Sequence, residues 1–203
     1  MYQSPHGHSC HVVALEGGDR LGKSTQAKLL ENALEQVKIK AILDKSPYKD
    51  GVTYERIYEM LESGEAVRHP VVFQTMFGAN RRFFQQRFLP TLARHFEVVV
   101  LDRWSLSGRI YGGESGVSKA DTECILSGLL EPDLTFVFDG VPFPTEGGDD
   151  SYEADTAFQS RVRDRYRRWA EKHPETTVLV DAHGAPQVIC EEIVSTIQRH
   201  LGR

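Results

Sequence analysis

The chain has 203 residues, 40% hydrophobic and 26% charged, which suits one globular domain large enough to bury a core. Its formal net charge of −5 argues against sequence-independent nucleic-acid binding, which needs a basic surface. No apolar stretch reaches the length of a membrane span and the first residues lack the layout of a secretion signal, so the expectation is no nucleic acid, no membrane and a cytoplasmic setting.

Residues 1–10 read as a flexible tail. His6, His8, Cys10 and His11 within or beside it match no zinc spacing. Cys10, Cys124 and Cys190 are odd in number and far apart, the pattern of reduced thiols. His11–Glu16 reads as the first strand. It runs into Gly17-Gly18-Asp19-Arg20-Leu21-Gly22-Lys23-Ser24-Thr25, which fits the phosphate-binding loop G-x-x-x-x-G-K-[ST] at every fixed position. Glycines there let backbone N–H groups converge on an anion. Lys23 brings a flexible cation to the β- and γ-phosphates, and the Ser24 hydroxyl suits Mg²⁺.

A helix is expected over Thr25–Val37, its N-terminal dipole adding to the attraction. Ile39–Leu43 reads as a short second strand and 44–52 as a loop containing Pro47 and Gly51. Helical patterns follow over Tyr54–Ser63 and over Val71–Phe96, the second punctuated by Pro90. Glu97–Leu101 is a buried strand that stops at Asp102. Leu106–Gly113 is taken as helix, and Ser118 caps a helix over Lys119–Leu130. Leu134–Phe138 is the fourth strand, and 140–152, rich in proline, glycine and acids, is expected to be a mobile lid. Asp155–Lys172 is helical, Thr177–Val180 is the last strand and Pro186–Leu201 the last helix. This alternation predicts a single α/β domain, a doubly wound parallel five-stranded sheet flanked by helices of the P-loop NTPase type. Its site should lie at the carboxyl ends of the strands.

A second layer of chemistry gathers around the loop. Asp102 ends a buried strand where an acid can orient Mg²⁺, and Arg103 beside it can bridge phosphoryl oxygens. Arg20, inside the loop, can act as an arginine finger supplied in cis. Phe77 and Arg81 share a helical face and offer a stacking plane and a planar donor group to a nucleobase. The run Arg161, Arg163, Arg165, Arg167 and Arg168 is interleaved with acids and reads as a solvated face.

Taken together these residues resemble the thymidylate kinases, from about Val12 to about Ile197. Leu15-Glu16-Gly17-Gly18-Asp19-Arg20-Leu21-Gly22-Lys23-Ser24-Thr25 is similar to the family's F-E-G-x-D-x-x-G-K-S-T loop, and its Asp-Arg pair resembles the eukaryotic and viral branch. Met76-Phe77-Gly78-Ala79-Asn80-Arg81 is similar to L-F-S-A-N-R. Asp102-Arg103-Trp104-Ser105-Leu106-Ser107-Gly108 is similar to D-R-Y-x-x-S-G, and Ser151-Tyr152-Glu153 with Phe158-Gln159 to R-Y-E…F-Q. The resemblance implies phosphoryl transfer from ATP to dTMP in dTTP synthesis, by a nucleoside monophosphate kinase that forms a homodimer.

It also implies roles. Gly17, Gly18, Arg20, Leu21, Gly22, Lys23, Ser24 and Thr25 hold the ATP phosphates, with Ala182 and His183 against adenine. Ser24 and Asp102 serve Mg²⁺, and Arg20, Lys23, Asp102 and Arg103 carry catalysis. Asp19 holds the sugar hydroxyl, Phe77 stacks on thymine and Arg81 bonds its edge. Arg103, Ser107, Gly108, Tyr111 and Tyr152 complete the acceptor site. Lys49 of Ser46-Pro47-Tyr48-Lys49 stands where the family's F-P-E-R has its phosphate-gripping arginine, a point charge in place of a fork. The competing expectations are a kinase for deoxynucleosides or other pyrimidine monophosphates, and a nucleotide-dependent switch.

Overall fold

The computed structural model describes residues 1–144 and 155–203. Among the described residues, five strands run parallel: β2 (Ser9–Gly17), β3 (Ala41–Lys45), β4 (Val98–Asp102), β5 (Leu134–Asp139) and β6 (Thr177–Asp181), in the order β3-β4-β2-β5-β6. The chain leaves β2 towards one edge to form β3 and β4, then crosses β2 to form β5 and β6. Strand order therefore reverses around β2, and the crevice beyond its carboxyl end is where ligands bind in such sheets. Registers Leu15↔Asp102 and Lys45↔Asp102 bring three chemically distinct segments to that one end.

Side chains alternate across the central strands because successive residues point to opposite faces. Val13 and Leu15 pack with Val98, Val100, Phe136 and Phe138 against α1 (Lys23–Gln36) and α9 (Pro186–His200). Val12, Ala14, Val99 and Leu101 face the other way, towards α4 (Pro70–Arg87), α5 (Leu89–Leu92) and α7 (Lys119–Leu126). On that second face Val137 meets α2 (Tyr54–Glu62), α3 (Glu65–Arg68), α6 (Ser105–Glu114) and α8 (Thr156–Lys172). No helix among the described residues is long and apolar enough to cross a membrane.

Four boundaries depart from the sequence reading, each for a local reason. Residues 1–10 are not a loose tail. β1 (Tyr2–Gln3) pairs antiparallel with Ser9 and Cys10, and the buried Ser4 hydroxyl accepts from the His6 and His8 N–H groups at 3.3 and 3.1 Å. The second strand begins at Ala41 rather than Ile39 because Ile39 closes α1. Its N–H bonds Leu34 O and that of Lys38 bonds Glu35 O, both at 2.9 Å, with Lys38 left-handed at φ 59° and Ile39 buried in the cluster that holds Leu34. That is the Schellman arrangement, in which the apolar residue seals the cap.

The long pattern over 71–96 breaks after Arg87, because Pro90 has no N–H to donate back to the carbonyl four residues earlier and its ring crowds that carbonyl, so a new short helix starts at Leu89. The helix capped by Ser118 stops at Leu126, before Gly128 turns left-handed at φ 75°. The arginines of α8 are drawn into ion pairs: Arg161 and Arg165 with Glu114, Arg163 and Arg167 with Asp139.

Candidate active site

The phosphate loop is built by close approach. Gly17 has φ 131°, and a Cβ there would lie 2.5 Å from the Phe138 carbonyl of β5. Gly22, left-handed at φ 78°, turns the chain so that α1 starts at Lys23, two residues earlier than its periodicity suggests. Leu21 is buried in the core beneath and anchors the loop. Lys23 is 6% exposed and its ammonium donates to the Gly18 carbonyl. Burial, reinforced by Arg103, lowers its pKa to about 8 against the pull of Asp19, Asp102 and Glu16. A cavity of about 290 Å³ opens over Arg20, Gly22, Lys23, Ser24 and Thr25. Arg20 is itself left-handed at φ 55°, and its carbonyl accepts from the Phe143 N–H at 2.9 Å, so the first described residues of the expected lid lie on the loop.

Ser24 donates its hydroxyl to Asp102 Oδ2 at 3.0 Å, while Asp102 Oδ1 is buried with no hydrogen-bond partner among the described residues. An orphaned carboxylate oxygen beside a hydroxyl is a hard-oxygen donor set, which fits Mg²⁺. Next to it Arg103 sits left-handed at φ 71°, its N–H bonded to Leu15 O at 2.9 Å. Its guanidinium donates to Gly17 O at 3.0 Å, to Ser107 Oγ at 3.2 Å and to Asp19 Oδ1. Burial alone would push Arg103 down, but Asp19, Tyr111, Tyr166 and Asp102 outweigh it and hold the group well above its ordinary value. Asp19 also accepts from Tyr111 OH at 2.6 Å and Gln159 Nε2 at 3.2 Å. Burial raises its carboxyl, yet Arg103, Lys23 and these hydrogen bonds leave it below the usual carboxylate range.

A second cavity of about 250 Å³ lies beside the first, with Phe73, Gln74, Phe77 and Arg81 of α4 along one side. Arg81 is 2% exposed, its guanidinium carbon 5.1 Å from the Phe77 ring centroid, and its Nε and Nη1 have no hydrogen-bond partner among the described residues. Burial lowers its pKa to about 10 despite the attraction of Glu16. Gly108 makes room for it, since a Cβ there would sit 3.1 Å from Arg81 Nη1. The two cavities share a wall of Asp19, Lys45 and Arg103.

That wall corrects one expectation. Lys49 is exposed and lines neither cavity, whereas Lys45, the last residue of β3, lines both. Buried Asn80 places the segment: its amide accepts from the Tyr48 N–H at 2.6 Å and donates to Tyr48 O at 3.0 Å. Ser107 reaches the acceptor cavity, but its hydroxyl is tied to Glu16 Oε2 at 2.6 Å and to Tyr166 OH at 3.0 Å. Ala182 and His183 do not line the cavity over the loop. The His183 ring lies 4.9 Å from that of Phe143, and its Nε2 accepts from the Val141 N–H at 3.1 Å. Tyr152 and lid residues 145–152 fall outside the described residues.

Lys45, at the end of the second strand, suits a phosphate from the sequence, and Glu16, Asn80 and Gln159 fall within the matched motifs without an assigned role; the structure places all four around the two cavities. Glu16 is fully buried and accepts from the Trp104 and Ser107 N–H groups and from the Ser107 and Tyr166 hydroxyls. Its signal was present as an acid closing an apolar run, which a buried strand carries only when the charge is answered. Gln159 shares the Phe158-Gln159 motif match, but its residue type on a helix does not reveal that it donates to Asp19.

Comparison with known proteins follows the same lines. The sequence profile of the thymidylate kinase family matches residues 15–193. The thymidylate kinase of Caulobacter vibrioides is 30% identical over 207 residues, covering 94% of this chain and 97% of its own. The probable thymidylate kinase of Pyrobaculum aerophilum is 31% identical over 195 residues, covering 92% and 96%. The solved thymidylate kinase of Candida albicans superposes with a TM-score of 0.73 at 26% identity, covering 94% of this chain and 93% of that one. These curated relatives are bacterial and archaeal, so the similarity carries the family and does not support the eukaryotic and viral branch that the Asp19-Arg20 pair suggested.

Proposed function

The chain belongs to the thymidylate kinase family, and on that premise we propose how its residues divide the transfer of the ATP γ-phosphoryl group to dTMP. The observation that carries the proposal is the common wall of Asp19, Lys45 and Arg103 between two adjoining cavities. Two nucleotides bound one in each would meet phosphate to phosphate across it.

ATP phosphates lie in the nest of loop N–H groups at the start of α1, with Lys23 on the β- and γ-oxygens. Ser24 and the free oxygen of Asp102 would hold Mg²⁺, which would supply charge neutralisation on those phosphate oxygens when bound. On the other side thymine stacks on Phe77, and Arg81 gives the base edge the hydrogen bonds its buried nitrogens otherwise lack. Asp19 and Tyr111 face the sugar, and Lys45 takes the monophosphate-gripping role expected of Lys49. A monophosphate oxygen then attacks the γ-phosphorus in line. Arg20, from the loop itself, and Arg103 answer charge spread over the transferred group. No covalent enzyme intermediate is required.

The domain is a single kinase unit, since all three buried clusters pack on one sheet. A homodimer belongs to the same reading, supported by exposed Val67, Val71 and Val72 on α3 and α4. So does a cytoplasmic setting, supported by three free cysteines. The test is ADP formation from Mg·ATP with a panel of nucleosides and nucleoside monophosphates. Stimulation by dTMP is expected, and Arg81→Ala should raise KM for dTMP while sparing that for ATP. A rate indifferent to any acceptor, the behaviour of a switch, would overturn the proposal.

A further inference from the structure

At the opposite end of the sheet from the phosphate loop, three chain segments converge. His11 lies near the start of β2, Asp133 precedes β5 and His200 ends α9. One ligand atom from each lies within 4.8 Å of the other two. We propose that His11, Asp133 and His200 form a binding site for a divalent transition metal of the zinc class, structural in role and separate from the site of phosphoryl transfer.

The donor chemistry selects the class. Two imidazoles and one carboxylate suit Zn²⁺ and its neighbours, whereas Mg²⁺ and Ca²⁺ prefer oxygen alone. The geometry is near what an ion needs. His11 Nδ1 stands 3.9 Å from Asp133 Oδ2, too far for a hydrogen bond. Ligand atoms about 2 Å from a tetrahedral ion are roughly 3.3 Å apart, so the His11–Asp133 pair closes by about half an ångström and the widest pair by up to about 1.5 Å. The His11 and His200 rings are already 5.1 Å apart, edge to face.

An independent observation points to a missing partner. His11 Nδ1 is buried and makes no hydrogen bond to any described residue. Asp133 is held in place: its Oδ2 accepts from the Val12 N–H at 2.8 Å, its own N–H donates to Val12 O at 2.8 Å, and the Met1 ammonium contacts Oδ1. Such outer contacts orient a ligand, and they leave Oδ2 as a single coordinating oxygen. His200 is exposed and free to swing in, with solvent completing the shell.

The bound ion would cross-link the start of the central strand, the approach to β5 and the end of the last helix. Three residues distant in sequence would then be held at one point, and metal would stabilise the fold without touching catalysis. The experiment uses the nucleotide-free full chain after chelator treatment. Equilibrium dialysis with Zn²⁺, and visible absorption with Co²⁺ as the probe, should give one ion per chain. At a Zn²⁺ concentration a hundredfold above Kd, Tm should rise by roughly 5–10 °C.

His200→Ala alters an exposed side chain and should keep the fold and the kinase rate while weakening Zn²⁺ about a hundredfold and abolishing the rise in Tm. Asp133→Asn should do the same, and a His6→Ala, His8→Ala double variant should bind as the parent does. Absence of stoichiometric binding to the parent, or equal binding and equal thermal shift in His200→Ala, would overturn the proposal.

Discussion

Replacing Glu16 by glutamine should destabilise the protein by about 3 kcal/mol although it changes almost no shape. The carboxylate is 0% exposed and accepts four hydrogen bonds. The Trp104 and Ser107 N–H groups reach Oε1 at 2.8 and 3.2 Å, and the Ser107 and Tyr166 hydroxyls reach Oε2 at 2.6 and 3.1 Å. A glutamine oxygen can keep both N–H donors. Both hydroxyls can turn and accept from its nitrogen, so the count of bonds survives and only charge is lost. Bonds to an ion are about twice as strong as neutral ones, and losing roughly 0.5–1 kcal/mol at each of four gives about 2–4 kcal/mol. Removing one partner from a buried ionic group costs about 3–5 kcal/mol by a separate route, and the two ranges overlap.

The consequence reaches the site, because Glu16 pulls upward on the pKa of both Lys23 and Arg81. In the variant Lys23 should therefore titrate below its present value of about 8. Denaturant unfolding gives the stability change from the shift in midpoint at unchanged slope, and proton NMR of labelled lysine gives the titration. A loss under about 1 kcal/mol together with an unmoved Lys23 would refute the reasoning.

Lys23 makes ATP binding depend on pH in a known direction. Its pKa of about 8 in the free protein lies below that of an ordinary lysine, so above pH 8 the fold has released a proton that a bound polyphosphate recovers. ATP affinity should fall by up to about tenfold per unit above pH 8, and calorimetry in paired buffers should record uptake of most of a proton at pH 8.5 and almost none at pH 6.5. By the same linkage, Lys23 adds stability as pH rises between about 8 and the unfolded value near 10.4, which unfolding of a Lys23→Met variant should lack. Lys45→Ala should lower kcat/KM for dTMP by about a hundredfold, and Lys49→Ala by less than about twofold, a loss of under about 0.5 kcal/mol in transition-state binding. Lys38→Gly should raise stability by roughly 1 kcal/mol with kinetics unchanged, since it relieves a left-handed φ of 59° at the end of α1.

Much of this molecule was determined locally and so could be read from the chain. The phosphate loop is legible because its chemistry needs particular residues at fixed short spacing, and Gly17 and Gly22 take the unusual backbone angles that spacing implies. The three inner strands β2, β4 and β5 are legible because burial on both faces demands continuous apolar runs. The pairing of Arg81 with the Phe77 ring is legible because one helix turn carries both.

What folding alone decided is which distant charges answer one another. Lys45 rather than Lys49 reaches the shared wall because Asn80, thirty-two residues from Tyr48, clamps the intervening loop. Ile39 looks like strand in one dimension and seals a helix in three. Glu16 reads as an ordinary acid until Trp104, Ser107 and Tyr166 arrive from two other helices and connections to satisfy it. Electrostatic pairing in a water-free interior has no sequence period, so it becomes visible only when the elements pack.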